Sequence, residues 1–181
     1  MSTTTGRTPR VRPTLSIGRR LRKTVLVTHI VSAAAWIGID VVVALLTVTS
    51  FLTDDAQTQA VAYRALGLVA VWPMLVAGLA CLTSGLLLGL GTKYGLLRYW
   101  WVAIKLCLNV VLTTLVLVAL RPGVDDLAEY GRATLAGESA APVDTSQMAF
   151  PPAVSLTALT IAVVLSVFKP WGRTRKRASN R

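Results

Sequence analysis

Apolar positions in this chain come in long blocks, not in the stripes or alternations of a water-soluble protein. The blocks are Val25–Phe51, Ala65–Leu90, Tyr99–Leu120 and Pro151–Phe168. A helix that crosses a bilayer needs about 17–25 mostly apolar residues. The first three blocks meet that length with room to spare, and the fourth just meets it. The pattern predicts an all-α integral membrane four-helix bundle. Its membrane domain covers 24–170, with spans over about 25–51, 65–90, 99–120 and 151–168. The first block is too long for the 7–15-residue apolar core typical of a cleaved signal peptide, so it is expected to be retained.

The polar segments complete the outline. Residues 1–23 are rich in Thr, Pro and Arg with little to bury, and a disordered tail is expected there. Residues 171–181 form a second basic tail. The 53–64 link opens with Asp54 and Asp55 and suits a helical turn leading into the second span. The 121–150 link is acidic and rich in Gly, Ala and Pro. Disorder is the expectation for it, although VDDLAEYGRATLAG has the makings of a short helix. Pro73 removes a backbone hydrogen bond and should kink the second span. Pro151 and Pro152 suit the first turn of the fourth.

Charge then orients the bundle. Only 15% of the 181 residues are charged, where a soluble domain has about a quarter. The net charge of +11 is not spread evenly. Arg7, Arg10, Arg12, Arg19, Arg20, Arg22 and Lys23 precede the first block, without an acid among them. Lys93 and Arg98 lie in the link between the second and third blocks, and Lys169, Arg173, Arg175, Lys176, Arg177 and Arg181 follow the last. The acids Asp54, Asp55, Asp125, Asp126, Glu129, Glu138 and Asp144 all fall in the other two links. Basic segments stay cytoplasmic. An N-in/C-in membrane protein with basic cytoplasmic tails is expected. Those tails would meet anionic lipid headgroups at about 1 kcal/mol per basic residue. That distribution makes the lipid bilayer the partner and argues against nucleic acid.

The candidate chemistry is the set of polar residues inside the blocks. His29, the only histidine, lies about 8 Å into the first span, and Lys105 lies about 9 Å into the third, from the same side. His29, Ala33, Trp36 and Asp40 share one helical face, as do Arg98, Trp101, Lys105 and Asn109. Polar groups in a membrane normally face the bundle interior. The two stripes are therefore expected to face each other or a common cavity. Together they would make a small polar site under the cytoplasmic surface from His29, Lys105 and Asn109, with Trp36 beside it. His29 has the chemistry to ligate a metal or carry a proton near neutral pH, and Lys105 to anchor an anion. The plainer alternatives are a hydrogen bond from His29 to a backbone carbonyl and an ammonium that snorkels to the interface. Asp40, toward the outer side, reads either as an interfacial aspartate or as a proton-relay carboxylate. Cys81 and Cys107 read as packing residues. Gly85 and Gly89 form a GxxxG, which suits close packing within the chain or a homodimer.

Several strings resemble a family of bacterial integral membrane proteins, abundant in actinobacteria, that carries a domain-of-unknown-function label; the resemblance implies the bacterial plasma membrane. They are SGLLLGLGTKYGLLRYWW, the following Ile104 and Lys105, His-x6-Trp-x-Gly from His29 to Gly38, and SVFKPWG at 166–172. More distantly, the His29 motif with Lys105 and Leu106 resembles the four-helix membrane protoporphyrinogen oxidases and the copper-resistance D family. The first of these resemblances implies a haem or porphyrin cofactor held near His29 and Lys105. Three function classes stand after the sequence: a multi-pass membrane protein without catalytic activity, a haem- or porphyrin-linked redox protein, and a small transporter or metal-handling protein.

Overall fold

The computed structural model describes residues 18–91, 99–139, 143–145 and 148–168. The expected tails at 1–17 and 171–181, and the basic link with Lys93 and Arg98, lie outside the described residues. Among those described, the chain is all-helical: α1 (Arg19–Leu52), α2 (Ala56–Val69), α3 (Trp72–Leu90), α4 (Trp100–Leu115), a π-helical turn (Val116–Leu120), α5 (Arg121–Leu135) and α6 (Phe150–Phe168). Four helical stretches are long and apolar enough to cross a membrane: Arg19–Leu52, Ala56–Leu90, Trp100–Leu135 and Phe150–Phe168.

The outward surface fits a bilayer better than water. Leu26, Val27, Ile30, Val31, Leu45 and Val48 of α1 are exposed, as are Val163, Val164 and Val167 of α6. Apolar faces of this extent would drive association in water, whereas lipid solvates them.

Helix α1 has 34 residues and no break, so it is about 51 Å long. That exceeds the hydrocarbon core of a bilayer, about 30 Å. Its two long neighbours match it in length, but each is divided by a proline. Pro73 has no N–H for the carbonyl of Val69, and α2 gives way to α3 through a turn at Ala70 and Val71. Pro122 likewise cannot bond to the carbonyl of Val118, and its ring crowds that carbonyl. The chain widens there into the π-helical turn before continuing as α5. Each long helix thus has a piece that packs with α1 or α6, the inner piece (α3 or α4), and a piece beyond it, the outer piece (α2 or α5).

The inner pieces pack with α1 and α6. Helix α1 touches α3 and α6, and α4 touches α3 and α6, which sets α1 and α4 across the bundle from each other. The outer pieces pack on each other. Gly67 lies against Ala128, where an added Cβ would come 2.5 Å from the Ala128 methyl. Gly131 lies against the Ala60 carbonyl, where an added Cβ would again sit at 2.5 Å. Tyr63 and Tyr130 meet edge to face, with ring centroids 6.0 Å apart. The Asp55 carboxylate caps α2, accepting from the Thr58 N–H at 2.8 Å and from its hydroxyl at 2.6 Å. These two bonds hold the Asp55 carboxyl below the usual carboxylate range.

Two expectations change. Helix α1 starts at Arg19, so the last residues of the expected 1–23 tail are helical. Residues 121–135, expected to be disordered, are helix α5. The reason is visible in the contact with α2. Gly67, Ala60, Ala128 and Gly131 let two polar helices approach closely, and Leu66, Val124 and Leu127 are buried between them.

Candidate functional site

The buried face of α1 carries Ser32, Trp36, Asp40, Val43, Thr47 and Ser50, with His29 half-buried at its inner end. Most of the hydroxyls on this face answer to their own helix. Ser32 donates to the His29 carbonyl, Thr47 to that of Val43 and Ser50 to that of Thr47. His29 and Asp40 differ, because both reach to other helices.

His29 reaches α3. Its Nδ1 lies 3.1 Å from the Cys81 carbonyl oxygen and 3.1 Å from the Ser84 hydroxyl oxygen, with the Cys81 thiol at 3.7 Å. A carbonyl only accepts, and the Ser84 hydroxyl donates to the Ala80 carbonyl at 2.6 Å. The hydrogen therefore sits on Nδ1, and Nε2 keeps its lone pair. Gly85 makes room for the ring, since an added Cβ there would lie 3.2 Å from His29 Cε1. Gly85 thus faces α1 of its own chain, and Gly89 is buried.

Lys105 takes a different direction. Its ammonium donates to the Ser166 hydroxyl of α6 at 2.9 Å and stands 4.9 Å from the centroid of the Trp101 ring.

Trp36 is fully buried, at 0% exposure. Gly78 admits it: an added Cβ would lie 2.9 Å from the indole Cζ3 and 3.0 Å from Thr113 Oγ1. Helices α1, α3 and α4 converge at that glycine. Trp36 Nε1 and Thr113 Oγ1 are buried here without hydrogen-bond partners, as is Asn109 Oδ1 one turn earlier on α4.

Asp40 lies eleven residues beyond His29, about 16 Å along α1. It is 1% exposed. The Ser155 hydroxyl of α6 donates to its Oδ2 at 2.6 Å, and its Oδ1 is buried with no partner. Beside it lies a cavity of about 90 Å³, walled by apolar side chains except for Asp40 and Ser155. Its position has a cause. Met74, Val116, Leu120, Pro151 and Pro152 line the cavity; Met74 follows Pro73, Val116 and Leu120 bound the π-helical turn before Pro122, and Pro151 and Pro152 open α6. The cavity sits where proline makes three helical stretches change course or begin.

The sequence paired His29 with Lys105 by depth. The same reasoning, applied from the outer side, would have paired Asp40 with Ser155, which stands in the first turns of the fourth block. Gly78 and Thr113 were also not singled out. A glycine inside an apolar run opposite a tryptophan is the signal that would have found the first.

Searches against family models, curated proteins and solved structures returned no match to this chain.

Proposed function

We propose that this chain is a four-span plasma-membrane protein with both termini in the cytoplasm, and that its interior accepts and passes protons or small cations. The observation that carries this reading is Asp40. A carboxylate with one hydroxyl partner in an apolar interior is incomplete, because burial without a counter-charge is costly. It needs a proton or a cation beside Oδ1. Ionisable groups kept inside membrane helices generally mark ion or proton pathways. Trp36, Thr113 and Asn109 add unpartnered polar atoms between Asp40 and His29, and the Nε2 lone pair of His29 offers a second proton acceptor toward the inner end. The charge distribution along the chain supports the orientation, and Tyr99 and Trp101 suit the inner interface.

The test is reconstitution into vesicles that hold a pH-sensitive dye, with an imposed potential. Flux above that of protein-free vesicles, abolished by Asp40→Asn, is the expected result. Wild-type flux equal to the protein-free control, or an Asp40→Asn variant as active as the wild type, would sink the reading.

A second reading rests on the His29 tautomer. An imidazole that donates Nδ1–H to a backbone carbonyl presents Nε2 as metal ligands do. His29 would hold a haem iron through Nε2, the group would supply electron-transfer chemistry when bound, and Lys105 would offer a positive charge to an anionic substituent. The cavity beside Asp40 is too small for a porphyrin, so the group would sit elsewhere along α1. A Soret band in the purified protein that is lost in His29→Ala supports this reading; a colourless protein removes it.

A further inference from the structure

We infer that the cavity beside Asp40 is a binding site for a small primary alkylamine, held as its ammonium ion. The inference rests on the reading of Asp40 as a cation-accepting group and names the class of ligand that group would take.

Three observations converge. The first is the donor set. Asp40 and Ser155 line the cavity, Asp40 Oδ2 is occupied by the Ser155 hydroxyl, and Asp40 Oδ1 is buried without a partner. An ammonium offers a positive charge and an N–H donor, which are what that oxygen lacks. A bare metal ion would fit poorly, because the other walls offer it almost no oxygen ligands. Val43, Met74, Leu112 and Val116 suit an alkyl chain instead.

The second is size. An apolar cavity of about 150 Å³ accommodates the six heavy atoms of benzene. By that measure a volume of about 90 Å³ takes about four heavy atoms, the size of propylamine.

The third is access. Leu115, Ala119 and Phe150 line the cavity and are themselves exposed, Phe150 at 69%. The cavity therefore has a mouth between the end of α4 and the start of α6. That mouth opens through apolar side chains, a route suited to the neutral amine. The step at the site balances without a co-reactant. The amine nitrogen takes the proton of the Asp40 carboxyl group, the O–H bond breaks, a fourth bond forms on nitrogen, and the ion pair that results has no net charge.

The experiment titrates the full-length protein in lipid nanodiscs with propylammonium chloride, followed by calorimetry, and with 1-propanol as the neutral isostere. Saturable binding of propylammonium is expected. It should weaken at least tenfold in Asp40→Asn and severalfold in Ser155→Ala, with 1-propanol indifferent to both changes. Ala119→Phe, at the exposed mouth, should also block binding with Asp40 intact, and it keeps the test open if Asp40→Asn does not fold. Absence of saturable binding to the wild type overturns the inference. So does binding unchanged in Asp40→Asn, or in Ala119→Phe, or equal binding of 1-propanol. Flux without amine binding overturns this inference alone, and amine binding without flux overturns only the transport reading.

Discussion

His29 and Asp40 occupy one face of one helix, yet the bundle treats them in opposite ways. His29 is half-buried, and a carbonyl and a hydroxyl from α3 both receive its Nδ1–H. Asp40 is buried almost completely, has one hydroxyl partner, and keeps one oxygen without any. Packing also differs. The His29 ring fits against Gly85 in close contact, whereas Asp40 borders a cavity. A polar group kept for packing tends to be satisfied by its neighbours. A polar group left incomplete beside open volume is poised to take something else. The contrast is the ground for proposing function at the Asp40 end of the α1 stripe, where the sequence drew attention to the His29 end.

The strongest way to break this comparison is to make the Asp40 end apolar. Asp40→Leu combined with Ser155→Ala removes both polar partners at once, which is often neutral or stabilising in an apolar interior. The double variant should lose all flux and unfold in detergent at the same temperature as the wild type or higher. A sharp fall in its unfolding temperature would show Asp40 to be structural.

Next in size is Gly78→Ala, which tests whether the two ends share a rigid middle. The new methyl would meet the Trp36 ring and Thr113 Oγ1 at 2.9 and 3.0 Å. Overpacking of this kind costs about 1–3 kcal/mol. Chemical denaturation should show that loss, and an unchanged midpoint would mean the α1, α3 and α4 contact is looser than described.

A matched pair of serine deletions sharpens the contrast directly. Ser155→Ala leaves both Asp40 oxygens without a donor and should cost about 1–3 kcal/mol. Ser84→Ala leaves the Cys81 carbonyl to receive the His29 proton and should cost less, about 0.5–1.5 kcal/mol. Equal losses in the same unfolding assay would erase the distinction between the two ends.

The smallest effect lies outside both. Asp55 caps α2 with its carboxyl held below the usual range, so its contribution is present above the ordinary carboxylate pKa. That contribution is lost as the pH falls through its lowered folded value. Asp55→Ala should lower the unfolding temperature slightly at neutral pH, and the gap to the wild type should close in acid. A gap that persists unchanged at low pH would assign the effect to helix propensity instead.

Much of the helical framework was legible because lipid-facing helices are apolar on nearly every side, so block length alone marks them. The outer pair was harder to read. Its contact is made by Ala60, Gly67, Ala128 and Gly131, residues that contribute close approach but little hydrophobic signal. The site divides in the same manner. Helical spacing put His29, Trp36 and Asp40 on one face, and they do share it. Spacing within one helix says nothing about which atoms of another will meet it, so the hydrogen bonds from His29 to Cys81 and from Ser155 to Asp40 needed the packed bundle. The cavity was the least legible of all, since its walls come from α1, α3, the end of α4 with the π-helical turn, and the start of α6, which are distant in the chain.

The tightly joined α2 and α5 also matter for how the molecule can be imaged. A membrane protein of 19.3 kDa gives an averaging procedure little to align on once detergent or lipid surrounds it. Here two helices, locked by glycine contacts and an edge-on tyrosine pair, continue directly from α3 and the π-helical turn. An antibody fragment raised against that pair would inherit its rigidity. It would report the orientation of the Asp40 end of the bundle without touching any residue that lines the cavity.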